Sequence, residues 1–345
     1  PALRKNFYSA LVVVALFIFG QNNLLGQDIH YSQFYNSPLN INPALTGVFN
    51  GDVRGIVSIR DQWRSVSVPY TTFTGNFDMK LYPKKSTKGF FGLGAIFNYD
   101  QSGDGNYNIT DINLTGSYNY LLNKNNVLSA GLLLGAATEG YDESGLTWDS
   151  QWDNLKYDPA RGSGEPIDAV ARFSYLETGV GVNYRYQKTS RTFFNLGVAA
   201  WHLTTPSAEF SGDPTSEIPV RIAVNFEGLF QLASKFDLQV HANYNNQNPY
   251  QELVFGGLGR IHINQAAGSK YALDLGASYR TSGFLIPTIA LHYNQWYVGA
   301  SYDVTIGDGP LLNEHNIWQA GPEVHIRYIL TNVKPLSEKK ACPIF

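Results

Sequence analysis

The chain of 345 residues has a formal net charge of −3 and only 15% charged residues, so its composition indicates neither nucleic-acid binding nor a polybasic membrane anchor. It is rich in Tyr (22), Phe (20) and Gly (33), yet its mean hydropathy of −0.20 lies far below that of a helical membrane protein. Such a chain is either a soluble all-β protein or a membrane β-barrel, whose strands have one polar face. The lone Cys342 excludes an intrachain disulfide and is most simply a free thiol in a polar tail.

The N-terminus has the features of a secretory signal. Arg4 and Lys5 precede an apolar run over residues 10–20, which is too short to span a bilayer. We therefore predict a signal peptide over residues 1–26, with cleavage near Gly26 and export from the cytoplasm.

The next segment, residues 27–50, is irregular. Its sequence HYSQFYNSPLNINPALTG has neither a period of two nor one of 3.6. Asn42 can cap a short helical turn that starts at Pro43 and ends at Gly47. Exposed aromatic bulk is unfavourable in water, so we predict a plug tucked against or into the periplasmic mouth of a barrel. Its predicted contact residues are Tyr31, Phe34, Tyr35, Asn42 and Pro43.

From residue 51 onward apolar and polar residues alternate repeatedly, as in strands with two different faces. An even number of such strands returns both ends of a barrel to one side of the membrane. The alternation predicts an all-β fold, a transmembrane antiparallel barrel of about 14 strands within residues 51–331. The predicted strands are 51–61, 70–81, 89–99, 110–120, 127–137, 173–187, 192–201, 219–230, 235–244, 251–263, 270–280, 285–294, 296–306 and 322–330.

Aromatic spacing favours a membrane barrel over a sandwich. Aromatic residues stand eight apart on the apolar face in three strands, and eight residues rise about 26 Å along a strand, or about 20 Å when the strand is tilted. That height matches a lipid-facing band between two aromatic girdles. The pairs are Phe91 and Tyr99, Phe236 and Tyr244, and Tyr271 and Tyr279.

Connection lengths and the chain end give the orientation. Short and long connections largely alternate, which predicts short periplasmic turns and long outer loops. The pattern at Gln319, Gly321, Val324 and Ile326 resembles the C-terminal assembly signal of outer-membrane barrels, so residues 332–345 are predicted to be a periplasmic tail.

The inward faces carry charges of both signs, which favours a salt-bridged interior over a selective pore. The glycines of the Gly-x-Gly pairs, among them Gly92 and Gly181, are predicted to ease barrel curvature.

A calcium loop and a plain hairpin turn are both compatible with residues 100–111. Asp100, Ser102, Asp104 and Asn108 occupy positions one, three, five and nine of a calcium loop, with Asp111 at position twelve. The same residue types form turns without a metal, and no helices flank them. We favour the turn.

Loop 138–172 contains Trp148, Trp152 and Tyr157 among acidic residues. These aromatic side chains form either a partner-binding surface or a self-packed lid. No HExxH, paired Cys, phosphate loop or lipid-facing Ser–His–acid trio occurs, so we predict no catalytic residues. We also predict no cofactor, with calcium at residues 100–111 as the less favoured alternative.

Two motifs of the irregular segment, Asp28-Ile-His-Tyr-Ser-Gln-Phe-Tyr35 and Pro38-Leu-Asn-Ile-Asn-Pro-Ala-Leu-Thr-Gly47, resemble the start of mature PorP/SprF-family outer-membrane proteins of Bacteroidota. Arg60-Asp-Gln-Trp-Arg64 and Tyr70-Thr-Thr-Phe73 are similar as well. The resemblance implies a link to type IX secretion and, in gliding species, to surface adhesins. It implies no transferable catalytic residues.

The expected function is that of an outer-membrane barrel that supports type IX secretion and attaches a secreted cargo or gliding adhesin to the surface without catalysis. Expected partners are that adhesin or other type IX cargo, periplasmic or outer-membrane secretion or gliding machinery, and membrane lipid, with no nucleic acid. The alternative is a transport channel for a hydrophobic or small polar solute. A barrel lipase ranks last.

Overall fold

The computed structural model describes residues 28–62, 69–83, 88–103, 105–141, 146–152, 156–158, 160–162, 164, 172–208, 217–266, 268–306 and 321–331. The predicted signal peptide and the predicted tail both lie outside these residues. No helix among the described residues is long and apolar enough to cross a membrane.

Fourteen antiparallel strands form one closed barrel, as predicted. Each strand pairs with its neighbours in the chain, and the last strand closes the barrel against the first, from Val53 opposite Leu330 to Arg60 opposite Glu323. The strand β13 continues beyond Asp303 as Val304–Thr305. The strands are β1 Val53–Gln62, β2 Tyr70–Leu81, β3 Gly89–Ser102, β4 Tyr107–Leu121, β5 Asn126–Gly140, β6 Arg172–Thr189, β7 Thr192–Trp201, β8 Arg221–Gln231, β9 Phe236–Gln247, β10 Tyr250–Asn264, β11 Tyr271–Arg280, β12 Phe284–Tyr293, β13 Trp296–Tyr302 and β14 Pro322–Leu330.

The two faces of the barrel have opposite chemistry because side chains alternate along each strand. Large apolar side chains such as Leu114 and Leu132, each 66% exposed, cover the outside. Rings of neighbouring strands stack on this surface, with centroids 4.7 Å apart between Trp296 and Tyr328. An apolar outer surface of this extent is the lipid-facing band of a membrane barrel.

The two ends of the barrel differ in their connections. We call one the short-turn end; it has the connections 82–88, 122–125, 190–191, 232–235, 265–270 and 294–295, together with the start of β1 and the end of β14. The opposite, long-loop end has the connections 141–171, 202–220 and 306–321, although its turns at 103–106, 248–249 and 281–283 are short. The periplasmic location of the short-turn end remains a prediction.

Residues 28–50, hereafter the plug, lie inside the barrel. They form three short 3-10 turns, Phe34–Asn36, Pro38–Asn40 and Pro43–Leu45. The Asp28 side chain binds Gln247, the last residue of β9 at the long-loop end, whereas Asn50 binds the Ser190 carbonyl in a short turn. The plug thus reaches further than the predicted mouth and runs through the interior from end to end.

Candidate functional site

The five predicted plug residues are all buried inside the barrel. The Asn42 side chain accepts a hydrogen bond from the Ala44 amide at 2.8 Å, so it caps the turn that Pro43 starts. Apolar plug residues pack against two apolar patches of the wall. One consists of Val254, Leu258 and Ile286 against Phe34, Tyr35 and Ile41; the other consists of Ile96, Leu133, Ala199, Trp201 and Ala223 against Leu39.

Wall glycines allow the plug backbone to approach closely. A Cβ at Gly131 would lie 2.3 Å from the Pro43 carbonyl carbon, and one at Gly181 would lie 2.0 Å from the Asn42 Oδ1. A Cβ at Gly92 would lie 2.3 Å from the Thr46 oxygen. Gly92 and Gly181 thus have a role that the sequence analysis missed, because a side chain at either position would collide with the plug; their predicted effect on barrel curvature stays a prediction.

Carboxylates of the wall bind backbone groups of the plug. Glu323 accepts hydrogen bonds from the Ser32 and Gln33 amides at 2.7 and 2.6 Å. Asp78 accepts one from the Gly47 amide at 2.8 Å. Buried amides are costly unless they are paired, so these bonds hold the plug in one path.

Most inward arginines are paired with carboxylates, as predicted for a salt-bridged interior. The shortest Arg–carboxylate distances are 2.8 Å for Arg54–Asp78, 2.7 Å for Arg60–Asp303, 2.8 Å for Arg260–Asp274 and 3.3 Å for Arg280–Asp303. Paired charges rigidify a wall and leave few free sites for a permeating ion.

The start of the plug is fixed at the long-loop end by an ionic latch around Asp28. Its carboxylate lies 2.7 Å from His202 Nε2 and 3.3 Å from Arg221 Nε. His202 Nδ1 lies 2.9 Å from Glu177, and the space beside this cluster measures about 50 Å³. Burial alone would lower the pKa of His202, but the Asp28 and Glu177 carboxylates outweigh burial and raise it to about 10. Burial would raise the pKa of Asp28, yet His202 and Arg221 hold it below its ordinary value.

We expect the latch to open in alkali. The pKa of His202 is raised to about 10 in the folded protein, so its charge stabilises the latch fully below pH 6.5, the ordinary pKa of histidine. This stabilisation is lost as the pH rises through about 10. The pKa of Asp28 is lowered, so its carboxylate stabilises the latch above pH 3.8, the ordinary pKa of aspartate. This stabilisation is lost as the pH falls further into acid. A fluorophore on a cysteine replacing Gln27, in a Cys342→Ser background, should gain quencher access as the pH rises from neutral through about 10. In His202→Gln this pH-dependent step should be absent; an unchanged step would contradict the assignment.

A Ser–His–Glu trio that the sequence analysis missed lies within the wall. Ser58 Oγ is 2.6 Å from His325 Nδ1, and His325 Nε2 is 2.7 Å from Glu323 Oε1. All three residues are 0% exposed, and the Tyr31 ring lies over His325 with centroids 5.2 Å apart. A substrate has no access to the serine, so the trio does not support hydrolysis. The trio connects β1, β14 and the plug. Ser58 lies in β1 and the other two residues lie in β14, so they meet only because the last strand pairs with the first.

The candidate calcium residues lie in a β-hairpin. Asp100 and Ser102 belong to β3, Asn108 belongs to β4, and Asp104 lies outside the described residues. Asp100 accepts a hydrogen bond from Thr72, and the Asn108 side chain donates to the Asn106 carbonyl. Among the described residues no group of three or more His, Cys, Asp or Glu side chains is placed to hold a metal. Calcium binding by residues 100–111, the less favoured of the two interpretations, stays untested.

The loop aromatics lie at the long-loop end. Trp152 and Tyr157 pair through an isolated β-bridge with ring centroids 5.7 Å apart, and Trp152 remains 55% exposed. Trp148 precedes the 3-10 turn Asp149–Gln151, where its amide donates to the Gln151 side chain. The loop thus packs partly on itself and still presents a large ring to solvent.

Comparison with protein families identifies the chain. The model of the type IX secretion system membrane protein PorP/SprF matches residues 23–319, which include the plug and nearly the whole barrel. The chain belongs to the PorP/SprF family. The irregular segment singled out in the sequence is thus the plug of a PorP/SprF protein, and the barrel around it is an outer-membrane barrel.

Solved structures resemble this PorP/SprF barrel in fold only. The toluene transporter TbuX of Ralstonia pickettii aligns at 13% identity and a TM-score of 0.49, covering 85% of this chain and 92% of its own. A Pseudomonas aeruginosa FadL homologue aligns at 13% identity and a TM-score of 0.48, covering 83% and 92%. BamA of Haemophilus ducreyi lacking POTRA domains 1–3 aligns at 11% identity and a TM-score of 0.41, covering 81% and 70%. These scores and identities support no functional argument. Comparison with curated proteins finds no match.

Proposed function

We propose that this PorP/SprF protein is a non-catalytic outer-membrane component that supports type IX secretion and attaches a secreted cargo or gliding adhesin to the cell surface. The observation that carries the proposal, beside the family, is the plug that runs the length of the barrel. An occupied and ion-paired interior favours function at the two ends of the barrel over conduction through it. The buried Ser–His–Glu trio likewise favours binding over catalysis.

In this proposal a signal peptide over residues 1–26 directs export, and the short-turn end faces the periplasm and the secretion machinery. The long-loop end faces outward and contacts the cargo. The exposed ring of Trp152, supported by Tyr157, is the proposed anchor of that contact, since aromatic side chains on a packed support often carry most of the binding energy of an interface.

The test replaces Trp152 by alanine in the native strain. Surface cargo, measured by antibody labelling of intact cells, should fall because losing such an anchor costs about 2 kcal/mol or more, roughly a thirtyfold loss of affinity. Leu203→Ala is the matched control, since Leu203 is also exposed at the long-loop end. An equal loss in both variants, or none in Trp152→Ala at normal barrel abundance, would count against Trp152 as the anchor. Unchanged surface cargo after deletion of the whole gene would overturn the proposed function itself.

A further inference from the structure

A cavity of about 540 Å³ opens at the short-turn end, where the plug leaves the barrel. Its size is within the range of about 300–1,000 Å³ typical of ligand-binding sites. Phe49 and Asn50 of the plug form part of its lining, and Phe90 and Tyr82 supply aromatic surface. Neither the latch at the opposite end nor the long loops contribute to it.

The cavity lining is basic. Among the described residues that line it, Asp52 is the one acidic side chain, whereas four are cationic. The cationic residues are Lys80, Lys124, Arg185 and Lys188. Four positive charges against one negative charge leave a formal excess of three, and low-dielectric walls focus the resulting field on the opening.

Two of these cations, Lys80 and Arg185, form no direct ion pair with a carboxylate among the described residues. Asp52 and Asp78 attract Lys80, and Glu227 attracts Arg185, only at longer range. Arg185, which is 5% exposed, donates to the Gln187 and Asn195 side-chain oxygens at 3.0 and 3.1 Å. Lys80 Nζ donates to the Phe49 carbonyl at 2.6 Å and lies 5.0 Å from the centroid of the Phe49 ring. By contrast, Arg54, Arg60 and Arg260 of the wall each form a direct ion pair with a carboxylate. A buried cation that lacks a direct ion pair is costly, so Lys80 and Arg185 are suited to an anion that enters from outside.

The short-turn face of the barrel around the cavity is also positively charged. In sequence, the six connections of the short-turn end contain no Asp or Glu. Their charged residues are Lys84, Lys85, Lys88, Lys124, Arg191, Lys235 and Lys270. The connections 141–171 and 202–220 at the other end are predominantly acidic in sequence. The short-turn face therefore attracts anions before they reach the cavity.

We propose that this cavity is a docking site for an acidic, Asp- and Glu-rich peptide segment of a partner protein. Anionic lipid headgroups can neutralise lysines on the rim, but the closed wall separates Arg185 from the bilayer. A peptide can enter from the aqueous side and place successive carboxylates against Lys80 and Arg185. The inference deepens the proposed function, because it specifies the chemistry of the partner at the face assigned to the secretion machinery.

The experiment measures binding of a fluorescent Asp/Glu-rich peptide to the full-length protein in nanodiscs of uncharged lipid. Lys80→Gln/Arg185→Gln should weaken binding at least about tenfold, since charges that face a buried partner dominate such contacts. Lys235→Gln/Lys270→Gln is the matched control: it removes the same charge from the same end but from residues outside the cavity lining. This control should change binding less than about twofold, as expected for rim charges in salt. Cross-linking by a photoreactive form of the peptide should map to the cavity lining, and a Lys-rich peptide should not bind.

Equal weakening in both variants, binding that requires anionic lipid, full competition by inorganic phosphate, or no binding would each overturn the docking site. Heat-modifiable gel mobility and the far-ultraviolet circular dichroism spectrum must match the unmodified protein, which shows that the variants fold. A failed peptide assay together with lost cargo display in a gene deletion would remove this inference alone. Normal display in that deletion would remove the proposed function and leave the binding site intact.

Discussion

Replacing residues 30–47 by a Gly/Ser linker of equal length is expected to open the barrel. The linker removes Phe34 and Tyr35 from one apolar patch of the wall and Leu39 from the other. It also removes the side chains around the Ser32 and Gln33 amides that bind Glu323. A barrel of 14 strands is wide, since diameter grows with strand number, so the lumen should fill with water. Cells that produce the variant should become sensitive to large hydrophilic antibiotics, and the purified protein should lose its partners.

The control for this linker is Ala266→Ser, a single change at an exposed residue of the short-turn end that lies outside both the plug and the cavity lining. Normal antibiotic resistance and normal partner recovery in the linker variant, at normal abundance in the outer membrane, would contradict the assignment of the plug.

Valine at Gly131 is expected to displace the plug or to destabilise the folded barrel. A Cβ there would overlap the Pro43 carbonyl and the Ala44 amide, at 2.3 and 2.4 Å, and backbone cannot rotate away as a flexible side chain can. Overpacking of this kind costs about 1–3 kcal/mol or more. The midpoint of urea unfolding in detergent should fall, and the plug should become accessible to protease.

Gly116→Val supplies the matched control. Gly116 lies in the adjacent strand β4, and a Cβ there would meet nothing within 4 Å. Its unfolding midpoint should be unchanged. If Gly131→Val were as stable and as protease-resistant as Gly116→Val, the close approach of plug and wall would be refuted.

The alternation of apolar and polar residues predicted the barrel because the pleat of a strand points successive side chains to opposite faces. The same pleat therefore sets both the period of two in the sequence and which residues are buried. All 14 strands follow from that local pattern, as does the exposed position of Phe91, Phe236 and Tyr271 on the outer face. The turn at Asn42 and Pro43 was likewise predictable from local chemistry alone.

The path of the plug was not predictable in this way. Its partners are 140 or more residues away in several cases, such as Asn42 with the Val182 carbonyl and Asp28 with His202. Such contacts depend on barrel closure, which no local pattern contains. One sequence signal was available: Gly92, Gly131 and Gly181 occupy inward positions of their strands, where a missing side chain leaves room for another chain.

The most direct test of an occupied interior is the planar-bilayer conductance of the unmodified full-length protein. The plug contacts the wall from Asp28 at the long-loop end to Asn50 at the short-turn end, so insertion should produce no steady conductance, in contrast to the linker variant. A stable, ohmic conductance of the unmodified protein would show that the interior is open to ions, and the account of a plugged barrel that acts at its two ends would be wrong.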